Sequence, residues 1–146
     1  MTNRAPSQRL APLHRLGAAA GAIGCLTVLV IGASLQPRAE GHGTHEALGL
    51  PACGWAQAFD APCATCGMTT AVTQAAHSDL LGAFLTQPAG LLIALGAAAA
   101  FWICLHSALT GSRAVRTLAG LTTPRGLITI GVAVGLAWAY KAVTWA

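Results

Sequence analysis

Charge is what this sequence has least of. Its 146 residues carry four acidic and eight basic side chains, 8% charged in all, against roughly 25% in ordinary soluble domains. Aromatics are also sparse, at 5%. No phosphate-binding loop occurs and no Ser-His-Asp order stands out. The four carboxylates, Glu40, Glu46, Asp60 and Asp79, offer no obvious general-acid pair. An enzymatic reading therefore has only cysteine to rest on. The basic residues are scattered instead of forming a patch, so nucleic acid is not an expected partner.

What the chain has in place of charge is apolar length. Residues 16–35 run for 20 positions without a charge, and residues 88–109 for 22 broken only by His106 and Ser107. A third run, 126–140, extends past Lys141 to Trp145. About 20 apolar residues cross a bilayer core. In the third run Lys141 is expected to snorkel, and Trp138, Tyr140 and Trp145 suit an interface. The first run is too long for a typical signal-peptide core and no clean cleavage site follows it, which favours a retained span. Gly17-x-x-x-Gly21 and Gly131-x-x-x-Gly135 permit close helix contact.

The charges give these spans a direction. Arg4, Arg9 and Arg15 precede the first run, and Arg113, Arg116 and Arg125 lie between the second and third. All four acidic residues fall between the first two runs. By the positive-inside rule the N-terminus is cytoplasmic and the C-terminus outside. The expected architecture is an all-α membrane protein with three transmembrane helices. It has a cytoplasmic tail (1–15), spans at 16–35, 88–109 and 126–145, a cytoplasmic loop (110–125), and an outward-facing cysteine-rich segment (36–87) with interfacial helices. The inner bilayer is its environment, with another membrane protein as a candidate partner.

Within 36–87 the pattern changes. Residues 36–46 have loop chemistry without an apolar period. From Met68 the residues Met68, Ala71, Val72, Ala75 and Ala76 recur at helical spacing. Ser78 or Asp79 can cap a second short helix through Phe84 or Leu85. Pro88 suits the first turn of the second span. The two helices are expected at the outer surface or dipping into it, against lipid or against the bundle.

The chemistry lies in Cys53, Cys63 and Cys66. A structural disulfide is the first reading: an outward loop meets oxidising conditions, and a Gly- and Pro-rich loop gains from a staple. Cys53 with Cys63 or Cys66 would close the larger loop, and Cys63 with Cys66 would resemble a redox pair. Thiol–disulfide exchange through Cys63 and Cys66 is the second reading. A helix N-terminus favours thiolate, and Cys66 directly precedes the helical pattern. Zinc held by Cys53, Cys63, Cys66 and one of His42, His45 or His77, with His77 foremost, is the third. No cofactor is assigned. His42 and His45 are expected to be solvated in a flexible loop. Cys25 and Cys104 are expected to pack as small hydrophobes, and His106 remains open. A staple at Cys63 or Cys66 would fix Gly67, Thr69, Thr70 and Gln74 as a functional surface beside the membrane.

The run Pro62-Cys63-Ala64-Thr65-Cys66-Gly67-Met68-Thr69-Thr70-Ala71 resembles the signature of a family of small bacterial membrane proteins. It is known as domain of unknown function two-seven-five-two. That signature reads Pro-Cys-x-x-Cys-Gly-x-Thr-Arg-Ala, with another Cys some ten residues earlier, where Cys53 stands. Ser78-Asp79 and Gln87-Pro88 sit where the family has Gly-Asp and Asn-Pro, so the resemblance spans about residues 50–110. Thr70 departs from the family's usual Arg. The resemblance implies a helical membrane protein and no particular activity. The expectation is a non-catalytic accessory or binding subunit, with membrane thiol–disulfide oxidoreductase and surface zinc site as alternatives.

Overall fold

The computed structural model describes residues 10–145. Arg4, Arg9 and most of the tail expected at 1–15 lie outside the described residues. Six α-helices and two 3₁₀ segments follow one another, with no strand among the described residues. They are α1 (Pro12–Ser34), a 3₁₀ segment (Thr44–Leu48), α2 (Gly54–Phe59), α3 (Met68–Ala76), α4 (Leu80–Thr86), α5 (Pro88–Thr110), a 3₁₀ segment (Arg113–Thr122) and α6 (Pro124–Val143). Helices α1, α5 and α6 are long and apolar enough to cross a membrane. That is the architecture of a multi-pass membrane protein. Their outer faces leave large apolar side chains such as Ile23, Leu92, Trp102 and Leu136 exposed, as lipid-facing helices do.

The ends of these helices follow local chemistry. Proline opens all three long helices, where its missing N–H is an orphan anyway. Asp79 caps α4 by accepting from the Gly82 N–H at 2.8 Å. Gly111 closes α5 with φ of 71°. At that end Arg15 donates to the carbonyls of Ala108 and Leu109 at 2.9 and 3.0 Å. These are carbonyls the helix itself cannot satisfy. The residues expected to be plain loop between the second and third spans form the 3₁₀ segment Arg113–Thr122. Buried Ser107 fixes it, accepting from the Val115 N–H at 3.0 Å. The stretch 36–46, also expected as loop, runs into the 3₁₀ segment Thr44–Leu48, and α2 follows it.

Helix α1 packs along α5, and α3 lodges against both at their far ends. A Cβ at Gly90 would stand 2.7 Å from the Ala71 Cβ and 2.9 Å from the Met68 carbonyl oxygen. One at Gly32 would stand 3.2 Å from Val72 Cγ1. Two small residues on two spans thus let the α3 backbone in close. Thr70, Ala71, Val72 and Thr73 are buried as a result, so α3 is packed into the bundle and does not lie on the surface. The Gly-x-x-x-Gly pairs do not carry this packing. Gly17, Gly131 and Gly135 meet nothing within 4 Å, and Gly21 faces buried Cys104 at 3.3 Å.

The C-terminal end of α6 returns to the same end of the bundle as 36–87. Trp138 Nε1 donates to the Pro62 carbonyl at 3.1 Å, and the Tyr140 hydroxyl to the Leu85 carbonyl at 2.9 Å. Lys141, expected to snorkel outward, is instead 7% exposed. Its ammonium lies 5.9 Å from the Trp145 ring centroid, a cation–π contact in place of a carboxylate. Gly90→Ala is expected to destabilise by about 1–2 kcal/mol, overpacking outweighing the helix preference of Ala. Gly96→Ala meets open space and should not. Melting of the two variants in mild detergent checks the contrast.

Candidate functional site

The start of α3 organises the outer segment. Gly67 precedes it with φ of 80°, and a Cβ there would stand 2.7 Å from the Gly41 carbonyl oxygen. Both facts demand glycine. The Gly67 turn holds Cys66 buried against the bundle while Cys63, one turn earlier, stays half-buried. The Cys66 N–H donates to the Cys63 carbonyl at 3.0 Å, which closes the turn. α2 brings Cys53 back over it, and Cys53 Sγ lies 3.6 Å from Cys63 Sγ.

Opposite these thiols stands the histidine loop. It is neither free nor merely solvated. The Thr44 hydroxyl, 1% exposed, is 2.8 Å from the hydroxyl of fully buried Thr70 and accepts from the Arg38 N–H at 3.3 Å. Arg38 pairs with Glu46 at 3.0 Å. The His42 ring packs against Trp145 at 4.9 Å with a tilt of 43° and bonds the Glu40 carbonyl at 2.9 Å. His45 Nε2 bonds the Pro51 carbonyl at 3.2 Å. Between loop and cysteines lies a cavity of about 570 Å³, walled by all three thiols, both histidines, Glu46, Thr69 and Trp145. That volume suits a small ligand or an inserted side chain.

The thiols are not equivalent. Burial opposes ionisation of Cys63, but hydrogen bonds outweigh it. The Thr65 hydroxyl at 3.4 Å, the Thr65 N–H and the Cys53 thiol hold the Cys63 thiol below its ordinary value. Burial pushes the Cys66 thiol up, and the neighbouring Cys63 and Cys53 add to this against the Lys141 ammonium. The helix-start argument expected thiolate at Cys66. The order is reversed because burial and the two neighbouring thiols raise Cys66.

Other expected residues are redistributed. His77 is at the far end of α3, about 13 Å along a nine-residue helix, and its Nε2 meets the Leu35 carbonyl at 2.9 Å. It does not join the cysteines, and no three or more His, Cys, Asp or Glu among the described residues converge as a metal site. Thr70 and Gly67 are interior, not surface. Thr69 lines the cavity, and Gln74 is half-buried with its side-chain Oε1 unpartnered among the described residues. Sequence reasoning missed Thr44, Trp145 and Lys141 as parts of the site. Their only sequence signal is polarity or aromaticity beside an apolar run.

Residues 51–102 match the family described as Protein of unknown function (DUF2752). That match covers about a third of the chain and supports the expected family. The matched stretch contains the three thiols, α2, α3, α4 and the first part of α5. No curated protein and no solved structure matches the chain.

Two measurements check this site. In the reduced protein, alkylation of Cys63 is expected to outpace that of Cys66. Its rate should rise with pH at a lower midpoint, since only thiolate reacts. Equal rates and midpoints would contradict the assignment. Thr70→Val should destabilise by about 1–2 kcal/mol, because the buried Thr44 hydroxyl loses one of its two partners. Thermal melting in detergent reads the loss.

Proposed function

We propose that this is a bacterial inner-membrane protein that acts as a non-catalytic binding or accessory subunit. Its outward segment is held by a Cys53–Cys63 disulfide and offers the thiol-walled cavity to a membrane partner. The observation that carries this reading is the 3.6 Å separation of Cys53 and Cys63 on the cavity wall. A modest closure reaches a bond of about 2.05 Å. The pair is ten residues apart, and a loop of that length gains about 3 kcal/mol from a bridge. The bridge would fix α2 as one wall of the cavity and leave Cys66 as a buried thiol. The basic flanks support a cytoplasmic N-terminus and an outward cysteine segment, on the side where such bonds persist.

A second reading is thiol–disulfide exchange. The lowered Cys63 thiol supports it, because thiolate is the attacking species. Cys53, at 3.6 Å, would be its resolving partner in place of Cys66. Depth and a raised thiol make Cys66 the poorer nucleophile.

Non-reducing peptide mapping after acid quenching and thiol trapping is expected to recover Cys53 joined to Cys63, with Cys66 alkylated only after unfolding. Three free thiols, or a Cys63–Cys66 bridge, would overturn the pairing. Topology has its own check in a cysteine-free background. Ala47→Cys should react with an impermeant maleimide in intact cells with an opened outer membrane, and Thr117→Cys should not. The opposite pattern would place the cysteine segment inside.

A further inference from the structure

A second cavity, of about 250 Å³, lies where α1, α3 and α5 meet. Val28 and Ile31 of α1, Leu35 just past its end, Val72 of α3 and Ile93 of α5 make it apolar. Val28, Ile31 and Ile93 are each about two-fifths exposed, at 41%, 38% and 42%. The groove therefore opens sideways from the spans, toward lipid. It is at the same end of the bundle as the thiols, and Met68 and Thr69 line both cavities. Thr73 also lines the groove. It is 0% exposed and its hydroxyl has no hydrogen-bond partner among the described residues. A buried hydroxyl left unpaired costs about 1–3 kcal/mol, so one that persists marks a position for a missing partner.

These features define the occupant's chemistry. It reaches the groove through the bilayer, so it is lipid-soluble. Its head carries a hydrogen-bond acceptor for Thr73. The head is neutral, because no charged side chain among the described residues lines the groove, and an anionic phospholipid headgroup would lie there without a counter-ion. It approaches thiols through the wall that Met68 and Thr69 share with the thiol cavity.

We propose that this groove binds a lipid-soluble quinone, whose carbonyl accepts from the Thr73 hydroxyl and whose ring lies against the Met68–Thr69 wall of the thiol cavity. The inference rests on the thiol-exchange reading. The quinone is the oxidant that returns Cys53 and Cys63 to the disulfide. Both S–H bonds break and one S–S bond forms. The two electrons and two protons pass to the two quinone oxygens, giving one quinol per disulfide. The apolar tail follows Val28, Ile31 and Ile93 out into the bilayer.

The test uses the full chain, reduced and reconstituted in quinone-free vesicles, with a decyl benzoquinone as probe. Quinol is expected at one equivalent per chain, with loss of two thiols. Thr73→Val, close in shape but lacking the hydroxyl, should raise the half-saturating quinone concentration about tenfold. Ile93→Trp, at an exposed groove position, should abolish the reaction by filling the groove. The Cys53→Ser, Cys63→Ser double variant should still bind the probe, read as quenching of tryptophan fluorescence, without making quinol. A soluble disulfide is added in parallel. If it oxidises the thiols and the quinone does not, the groove assignment falls while thiol exchange stands. If neither oxidises them, both fall. Wild-type behaviour in Thr73→Val and Ile93→Trp would also overturn the site.

Discussion

The outer half of this molecule depends on how closely α3 approaches two spans. A helix of nine residues is too short to hold itself together in water, and its Ala- and Thr-rich faces bury little apolar area. It persists because Gly90 and Gly32 admit its backbone to the ends of α5 and α1. Packing at that distance gains from many dispersion contacts where lipid offers no hydrophobic drive between helices. The His77 ring bonds the Leu35 carbonyl and pins the other end of α3 to the end of α1.

Everything chemical is hung on that wedge. Once α3 is fixed, Gly67 makes the turn that sends Cys66 inward and leaves Cys63 at the cavity edge. Thr70 then reaches Thr44 and draws the histidine loop over the thiols. Trp138 and Tyr140 tie α6 to the same region through carbonyls that have no helical partner of their own. The chain has too few charges to bind these parts by ion pairs, and Arg38–Glu46 is the one such pair among the described residues. Hydrogen bonds between hydroxyls, carbonyls and thiols take over that role. The same poverty of charge leaves the balance of burial and hydrogen bonding to decide which thiol ionises first.

The sequence made the spans and their punctuation legible. Apolar runs at 16–35, 88–109 and 126–145 became Pro12–Ser34, Pro88–Thr110 and Pro124–Val143, because lipid-facing length is written residue by residue. Pro88, Asp79 and the period from Met68 marked real helix starts, since caps act over three or four residues. The grouping of the three cysteines was also readable from their spacing. Which of them approach each other was not. Cys53 meets Cys63 because α2 folds back, and a six-residue helix leaves no measurable period. Thr44–Thr70 and Lys141–Trp145 were hidden for the same reason: such contacts are chosen by packing between distant segments. Thr70 looked like surface because hydroxyls usually are. His77 was enlisted for metal because spacing counts residues and takes no account of which end of a helix they reach.

Hydrogen–deuterium exchange on the protein in lipid nanodiscs tests the wedge most directly. The amides of 71–76, held in α3 between two spans, should be protected to the level of the adjoining first turns of α5. Local opening there would have to break the Gly90 and Gly32 contacts together. Exchange in 71–76 as fast as in the loop at 36–43 would show α3 to be a loose surface helix. The placement of the cavity, the thiols and the groove would then lose its foundation.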